Sequence, residues 1–319
     1  MVTELPLYEP CGEGDHCYLW VEKRGLSTMI AVEHLAAKFG RDPREFGYAG
    51  LKDAHAVTRQ WISLEHLEPE SARDLELPGL RILDAQQHGN KLRMGHLRGN
   101  RFAILLRGCE PSDLQSVRMN LAHMEAHGVP NYFGEQRFGK RGANLAKGLK
   151  ILRGNPRRAA RRIPKRLLRL LISAVQSEAF NRVLIGRLDR LEQLQDGDVA
   201  WIHDSGACFL VEQAAAEQDR CMRFLLSPSG PMPGPKMLRA KAAVGALEDE
   251  VLAQMEIDCE IFGRVPHGTN SGLRRPLRIP LGMPRAVLAD GGILLEFELG
   301  KGSFATTVVR ELLADVGWV

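Results

Sequence analysis

The segment Gly47-Tyr-Ala-Gly-Leu-Lys-Asp-Ala-His-Ala-Val-Thr-Arg-Gln60 runs from a glycine-bearing turn straight into strand-forming residues. Gly47 and Gly50 permit positive φ and leave room for a close approach to the backbone. From Val57 to Leu64, Val57, Thr58, Trp61 and Ile62 favour an extended chain. The turn therefore mounts one short carboxylate, Asp53, at the mouth of a sheet. A nucleophilic carboxylate needs that combination of exposure and rigid support. An ordinary surface aspartate on a polar turn is the competing reading. Lys52 and His55 flank Asp53, and a cation at either side favours an ionised carboxyl.

Further strands are expected on both sides of this turn. Cys17, Leu19 and Val21 alternate with Tyr18, Trp20 and Glu22, which predicts a strand over His16–Lys23. Ser27 is placed to cap a helix through Ile30, Val32, Leu35 and Ala36 to Phe39, stopped by Gly40. Leu80–Ala85, Lys91–His96 and Arg101–Arg107 are short strand-like runs, so this region should be mainly antiparallel sheet. A helix starts at Ser112, with Leu114, Val117, Leu121 and Met124 on one face, and ends at Gly128 and Pro130. Another begins near Pro164, its Leu168, Leu171, Val175, Ala179 and Val183 forming a core stripe. A small hairpin is expected around Asp204-Ser205-Gly206. Ser227–Pro235 has too many breakers for helix or strand. A helix should resume from about Ala240 to Glu256, and Leu273–Pro280 should be extended and basic. Ile293–Leu299 is an alternating strand, followed by a final helix capped by Ser303. The closing strand and helix look like a return to the first domain, with the middle of the chain inserted.

At 319 residues two domains are expected. No run approaches the ~20 apolar residues of a membrane span, and Met-Val-Thr-Glu-Leu-Pro has no signal-peptide character. The six scattered cysteines form no CxxC pair, which argues against a zinc site and fits reduced thiols in a cytoplasm. The net charge of +4 is modest, but its distribution is not. Between Gln136 and Gln176 there is no Asp or Glu, while Arg137, Lys140, Arg141, Arg157, Arg158, Arg161 and Arg162 all fall in that interval. A block of one sign repels itself unless an anion covers it, and a phosphate backbone is the usual partner. A solvated basic linker is the bland alternative. Just upstream, Pro130-Asn-Tyr-Phe-Gly-Glu-Gln-Arg-Phe-Gly139 gathers aromatics, amides and an arginine. Such a set can stack on a base, pair with its edge and hold a phosphate, or its rings can plug the core.

Together with Gly302-Ser-Phe-Ala-Thr-Thr-Val-Val-Arg-Glu311, the Ala49–Gln60 and Pro130–Gly139 motifs resemble the TruD family of tRNA pseudouridine synthases, in the family's order and over nearly the whole chain. The resemblance implies an α+β pseudouridine-synthase fold with a mixed, mainly antiparallel sheet and an inserted α/β TRUD domain. It places the catalytic domain at residues 1–155 and 280–319 and the insert at 156–279. It implies conversion of uridine 13 of tRNA to pseudouridine with no cofactor, no metal and no obligatory protein partner, in the cytoplasm. The family's nucleophile falls on Asp53, and its uridine-pocket residues on Asn131, Phe133 and Phe304. Lys52, Arg137, Lys140, Arg141, Arg157, Arg158, Arg161 and Arg162 are candidate contacts to the RNA backbone. Family members carry a further N-terminal segment with a lysine and a phenylalanine near the pocket. This chain opens where the family is already past it, so weaker uridine binding, a lower rate or a non-catalytic tRNA-binding or folding role is the alternative expectation. A glycosidase would need a second carboxylate, for which Glu45, Glu135 and Glu311 are the candidates near the motifs.

Overall fold

The computed structural model describes residues 1–266 and 271–315. The chain divides into two compact units, Met1–Ala122 with Leu281–Ser303, and His123–Pro280 with Phe304–Val319. The first strands are β1 (Val2–Pro6), β2 (His16–Arg24), β3 (Gly47–Tyr48), β4 (Val57–Glu65), β5 (Glu76–Leu77), β6 (Leu80–His88) and β7 (Leu97–Leu106). There follow β8 (Val129–Pro130), β9 (Val199–Ile202), β10 (Cys208–Leu210), β11 (Leu226–Met232), β12 (Leu273–Pro276), β13 (Arg278–Ile279), β14 (Gly282–Ala289) and β15 (Gly292–Gly300). The helices are α1 (Thr28–Phe39), α2 (Pro69–Ala72), α3 (Asp113–His127), α4 (Ala143–Arg153), α5 (Pro156–Ala160), α6 (Lys165–Ile185), α7 (Ala214–Met222), α8 (Ala242–Gln254) and α9 (Ala305–Asp315).

The first unit is built on a sheet ordered β14-β15-β7-β1-β4-β2-β6-β5, with β3 added beside β4. Its pairings are antiparallel except β1 with β4, so the sheet is mixed and mainly antiparallel, as expected. Cys17, Leu19 and Val21 of β2 and Ile62 and Leu64 of β4 meet Ala31, Val32, Leu35 and Ala36 of α1 in one buried cluster. Burying each valine, leucine or isoleucine side chain of this cluster contributes about 1.5–3 kcal/mol. Helix α1 begins and ends where its sequence dictates. The Ser27 side chain accepts from the Ile30 amide, and Gly40 closes the helix at φ 64°. At the far end of the chain, β15 pairs with β7 from Ile293↔Leu106 to Gly300↔Gly99. The closing strand thus returns to the first sheet, whereas α9 groups with the second unit.

The second unit centres on α6. Its Leu168, Leu171, Val175, Ala179 and Val183 are buried and pack with Ile151 and Leu152 of α4 and Val251 and Leu252 of α8. The backbones of α4 and α6 approach so closely that a Cβ on Gly148 would meet the Leu171 carbonyl at 2.3 Å. A four-stranded sheet, β10-β9-β11-β12, and a short β13-β8 pair complete the unit.

Two expectations about elements are overturned. Lys91–His96 is a loop, and the strand starts only at Leu97. Leu92, Met94 and His96 imitate strand alternation, but the His96 amide bonds back to Arg93 and Gly95 sits at φ 92°, which turns the chain. Ser227–Pro235 is largely strand, since β11 is extended and buried throughout. Leu226–Pro228 pairs with β9 and Ser229–Met232 with β12, so neither half needs a complete ladder on both sides. Each proline then forfeits only one donor, and its fixed φ is compatible with an extended chain.

Candidate active site and nucleic-acid interface

In the first unit, Asp53 is exposed on the loop between β3 and β4, and its Oδ1 accepts from the His55 amide at 3.2 Å. A network of buried polar side chains supports the turn. Lys52 donates from Nζ to Glu4 Oε2 at 2.7 Å, an ion pair whose side chains are 5% and 1% exposed. The same glutamate also accepts from the Trp61 amide. Burial pushes the Glu4 carboxyl above its usual range, and Lys52 pulls the other way. The Lys52 amide donates to Thr28 Oγ1 at 2.8 Å, Thr28 donates to Gln60 Oε1 at 2.9 Å, and Gln60 Nε2 donates to the Gly50 carbonyl at 3.1 Å. Lys23, 1% exposed, donates to the carbonyls of Leu26, Asp53 and Lys52. Five buried polar side chains from β1, β2, α1, the turn and β4 thus fix the turn that carries Asp53.

This geometry corrects parts of the sequence reading. Lys52 is not presented to a phosphate, because its ammonium is committed to Glu4 inside the unit. Neither Gly47 nor Gly50 has positive φ. Gly47 is required for a different reason, since a Cβ there would meet the Leu92 carbonyl at 2.3 Å. Arg59 pairs with Glu22, and Glu45 is tied to Arg41 and to the Asp42 amide, so it serves a turn and not a catalytic pair. Lys23, Glu4, Thr28 and Gln60 were not singled out from sequence. The signal for Lys23 was there: it continues the inward phase of Cys17, Leu19 and Val21 on a strand with one buried face.

In the second unit, the Pro130–Gly139 segment is anchored and not splayed out. Asn131 is 4% and Phe133 6% exposed. Asn131 Nδ2 donates to the Pro276 carbonyl at 2.9 Å, while its Oδ1 accepts from Arg275 at 2.5 Å. The Asn181 side chain bonds both the amide and the carbonyl of Phe133, at 2.9 and 3.0 Å. The Phe133 ring sits edge-on to Phe180, with the guanidinium carbons of Arg275 and Arg137 4.2 and 5.1 Å from its centroid. Burial, and then the charge of Arg137, lower Arg275 to about 10. Two partly desolvated cations thus stand over one aromatic ring. Phe304 differs, standing 47% exposed immediately before α9. It, and not Ser303, directly precedes the first helical residue.

The basic block spans consecutive short helices of the same unit. Lys140, Arg141, Arg157, Arg158, Arg161 and Arg162 are all exposed. Among the described residues, no carboxylate lies within ion-pair distance of any of the six, whereas neighbouring Arg153 pairs with Glu256 at 3.2 Å. Asn155 caps α5 through the Arg158 amide, so the arginines of α5 have an ordered backbone beneath them. Among the described residues, no helix is long and apolar enough to cross a membrane, and no group of His, Cys, Asp and Glu could hold a metal ion.

The chain matches the family model described as tRNA pseudouridine synthase D (TruD) over residues 1–163 and 155–312. It is 40% identical to the tRNA pseudouridine synthase D of Geobacter metallireducens, covering 98% of this chain and 92% of that protein. The corresponding protein of Thermus thermophilus is also 40% identical, with 98% and 85% covered. A crystal structure assigned to TruD from Methanosarcina mazei shares the fold at a TM-score of 0.83 and 23% identity, covering 98% of this chain and 91% of that one. By motif order, fold and full-length similarity, the chain belongs to the TruD family of tRNA pseudouridine synthases.

Proposed function

We propose that this protein isomerises uridine to pseudouridine in tRNA, at position 13, with Asp53 as the nucleophile. The observation that carries the reading is the exposed Asp53 carboxylate on a turn immobilised by buried polar side chains. Preorganisation of that kind places a reacting group without a cost at the moment of reaction. Uracil must leave C1′ of its ribose, rotate and rejoin through C5. A fixed carboxylate can assist by attacking C1′, by adding to C6 of the ring or by taking the 2′ proton on a glycal path. No redox step or group donor is required, so no cofactor is part of the proposal.

The base has to leave its stack to be reached, and an exposed ring can replace the lost stacking. Phe304, 47% exposed, is assigned that role, and Asn131 and Phe133 are assigned to uridine recognition, as the family resemblance implies. Lys140, Arg141, Arg157, Arg158, Arg161 and Arg162 are assigned to phosphates, and so is Arg137, which stands over the Phe133 ring. Residues 1–155 and 280–319 are proposed as the catalytic domain and 156–279 as the insert. The compact units divide the chain at other positions and do not bear on which part carries which role.

The test is Asp53→Asn with pseudouridine mapping on a tRNA substrate and release of tritium from 5-labelled uridine. The substitution keeps shape and removes the nucleophile, so both signals should vanish while tRNA binding persists. Retained modification would rule Asp53 out. Salt-sensitive tRNA binding by the unaltered chain with no uridine isomerised would point instead to a non-catalytic binder.

A further inference from the structure

Lys23 is one of the largest fully buried side chains in the protein, at 1% exposure. Its ammonium lies 2.5 Å from the Leu26 carbonyl, 3.2 Å from that of Asp53 and 3.5 Å from that of Lys52. Its hydrogen-bond partners among the described residues are main-chain oxygens, that of Leu26 in the loop between β2 and α1 and those of Lys52 and Asp53 in the Asp53 turn. A buried ammonium without a carboxylate partner is costly, and a methionine would fill the same space without that cost. The charged groups that act on it are Asp53, which stabilises its charge, and Lys52, which opposes it. Glu4 is occupied by Lys52. Glu22, next to it on β2, pairs with Arg59 and Arg81. From α1 and β4, the side chains of the turn network are the neutral Thr28 and Gln60. Burial outweighs the pull of Asp53 and lowers Lys23 to about 8.

We propose that Lys23 is a positioning residue for Asp53: its cation clamps the Lys52 and Asp53 carbonyls so that the carboxylate projects outward from a fixed turn. This rests on the isomerase reading above. Because Lys23 is sealed inside the first unit, it has no route to a phosphate, and its effect belongs on the chemical step and not on tRNA affinity.

The experiment compares the full chain with Lys23→Met in three measurements: single-turnover isomerisation across pH 7–10, tRNA affinity, and the protection of the Lys52 amide against hydrogen exchange. Lys23→Met should slow turnover by on the order of 10- to 100-fold, leave the Kd for tRNA within about twofold, and reduce Lys52 protection. The unaltered protein should lose rate and Lys52 protection as pH rises through about 8, and the variant should lack that limb. A variant that turns over at the unaltered rate, or that loses affinity and rate in parallel, overturns the proposal. Should Lys23→Met fail to fold, the unaltered protein still decides: a Lys52 protection factor constant over pH 7–10, measured against the Trp61 amide, overturns it. The exchange arm needs no catalysis, so a chain without isomerase activity would sink the proposed function while Lys23 remained testable.

Discussion

Glu4 and Lys52 place opposite charges 2.7 Å apart with almost no solvent access, directly under the turn that presents Asp53. Both charges pay a large desolvation cost, so the pair is a weak source of net stability yet expensive to break. Lys52→Met leaves a buried carboxyl with only the Trp61 amide from its present partners, and should destabilise the first unit by about 3–5 kcal/mol. The double change Glu4→Met with Lys52→Met should recover much of that loss. Urea unfolding followed by tryptophan fluorescence checks it, since Trp20 and Trp61 lie 5.0 Å apart between ring centroids in the same unit. A single variant as stable as the parent would show that the pair is dispensable and that other members of the network hold the turn. The composition of the turn announced the acid but not its support. Asp53 stands in a local motif, whereas Glu4 is 57 residues from the Trp61 amide it accepts from. Only the Lys23 phase on β2 gave a local hint of a polar group turned inward.

At the scale of elements, legibility followed whether a segment's signals were local. Helix α1 carries its own cap, stripe and stop, and β2 and β4 carry their own alternation. The stripe of α6 named its buried face residue by residue. Strand β11 could not be read that way, because its extended conformation comes from partners 24 to 47 residues distant that pair with its two halves. Leu273–Pro280 was read as extended and basic, and what that reading did not contain is that Arg274 and Arg278 are buried. Arg274 meets Glu248 at 2.7 Å, and Arg278 donates to the His127 and Cys221 carbonyls. The glycine inside β11 has a packing reason. A Cβ on Gly230 would meet Leu277 at 2.8 Å and the Phe180 ring at 2.9 Å, and Phe180 is fully buried. Gly230→Ala should therefore cost about 1–3 kcal/mol by overpacking, read as a lower melting temperature. Unchanged stability would mean that Phe180 has room to move.

At the scale of the whole molecule, the sign and placement of charge decide how a polyanion is held. The chain carries only +4 overall, so non-specific attraction by net charge is weak. The arginines of α5 and the residues that follow it are concentrated, exposed and without carboxylate partners among the described residues, which suits direct phosphate neutralisation. Each neutralised phosphate releases counterions, and the logarithm of affinity falls with the logarithm of salt by about 0.7–0.9 per phosphate. Replacing Arg157, Arg158, Arg161 and Arg162 together by Gln should weaken tRNA binding and flatten that salt dependence in proportion to the number of phosphates no longer neutralised. Turnover at saturating tRNA should stay within a few-fold, since none of the four belongs to the network around Asp53. The matched control is Arg44→Gln: that arginine is just as exposed but paired with Asp42 at 2.7 Å, and its loss should leave the slope unchanged. Binding titrations at several salt concentrations separate the cases. If the quadruple variant keeps the parent slope, these arginines form a solvated face, and the phosphates are held elsewhere.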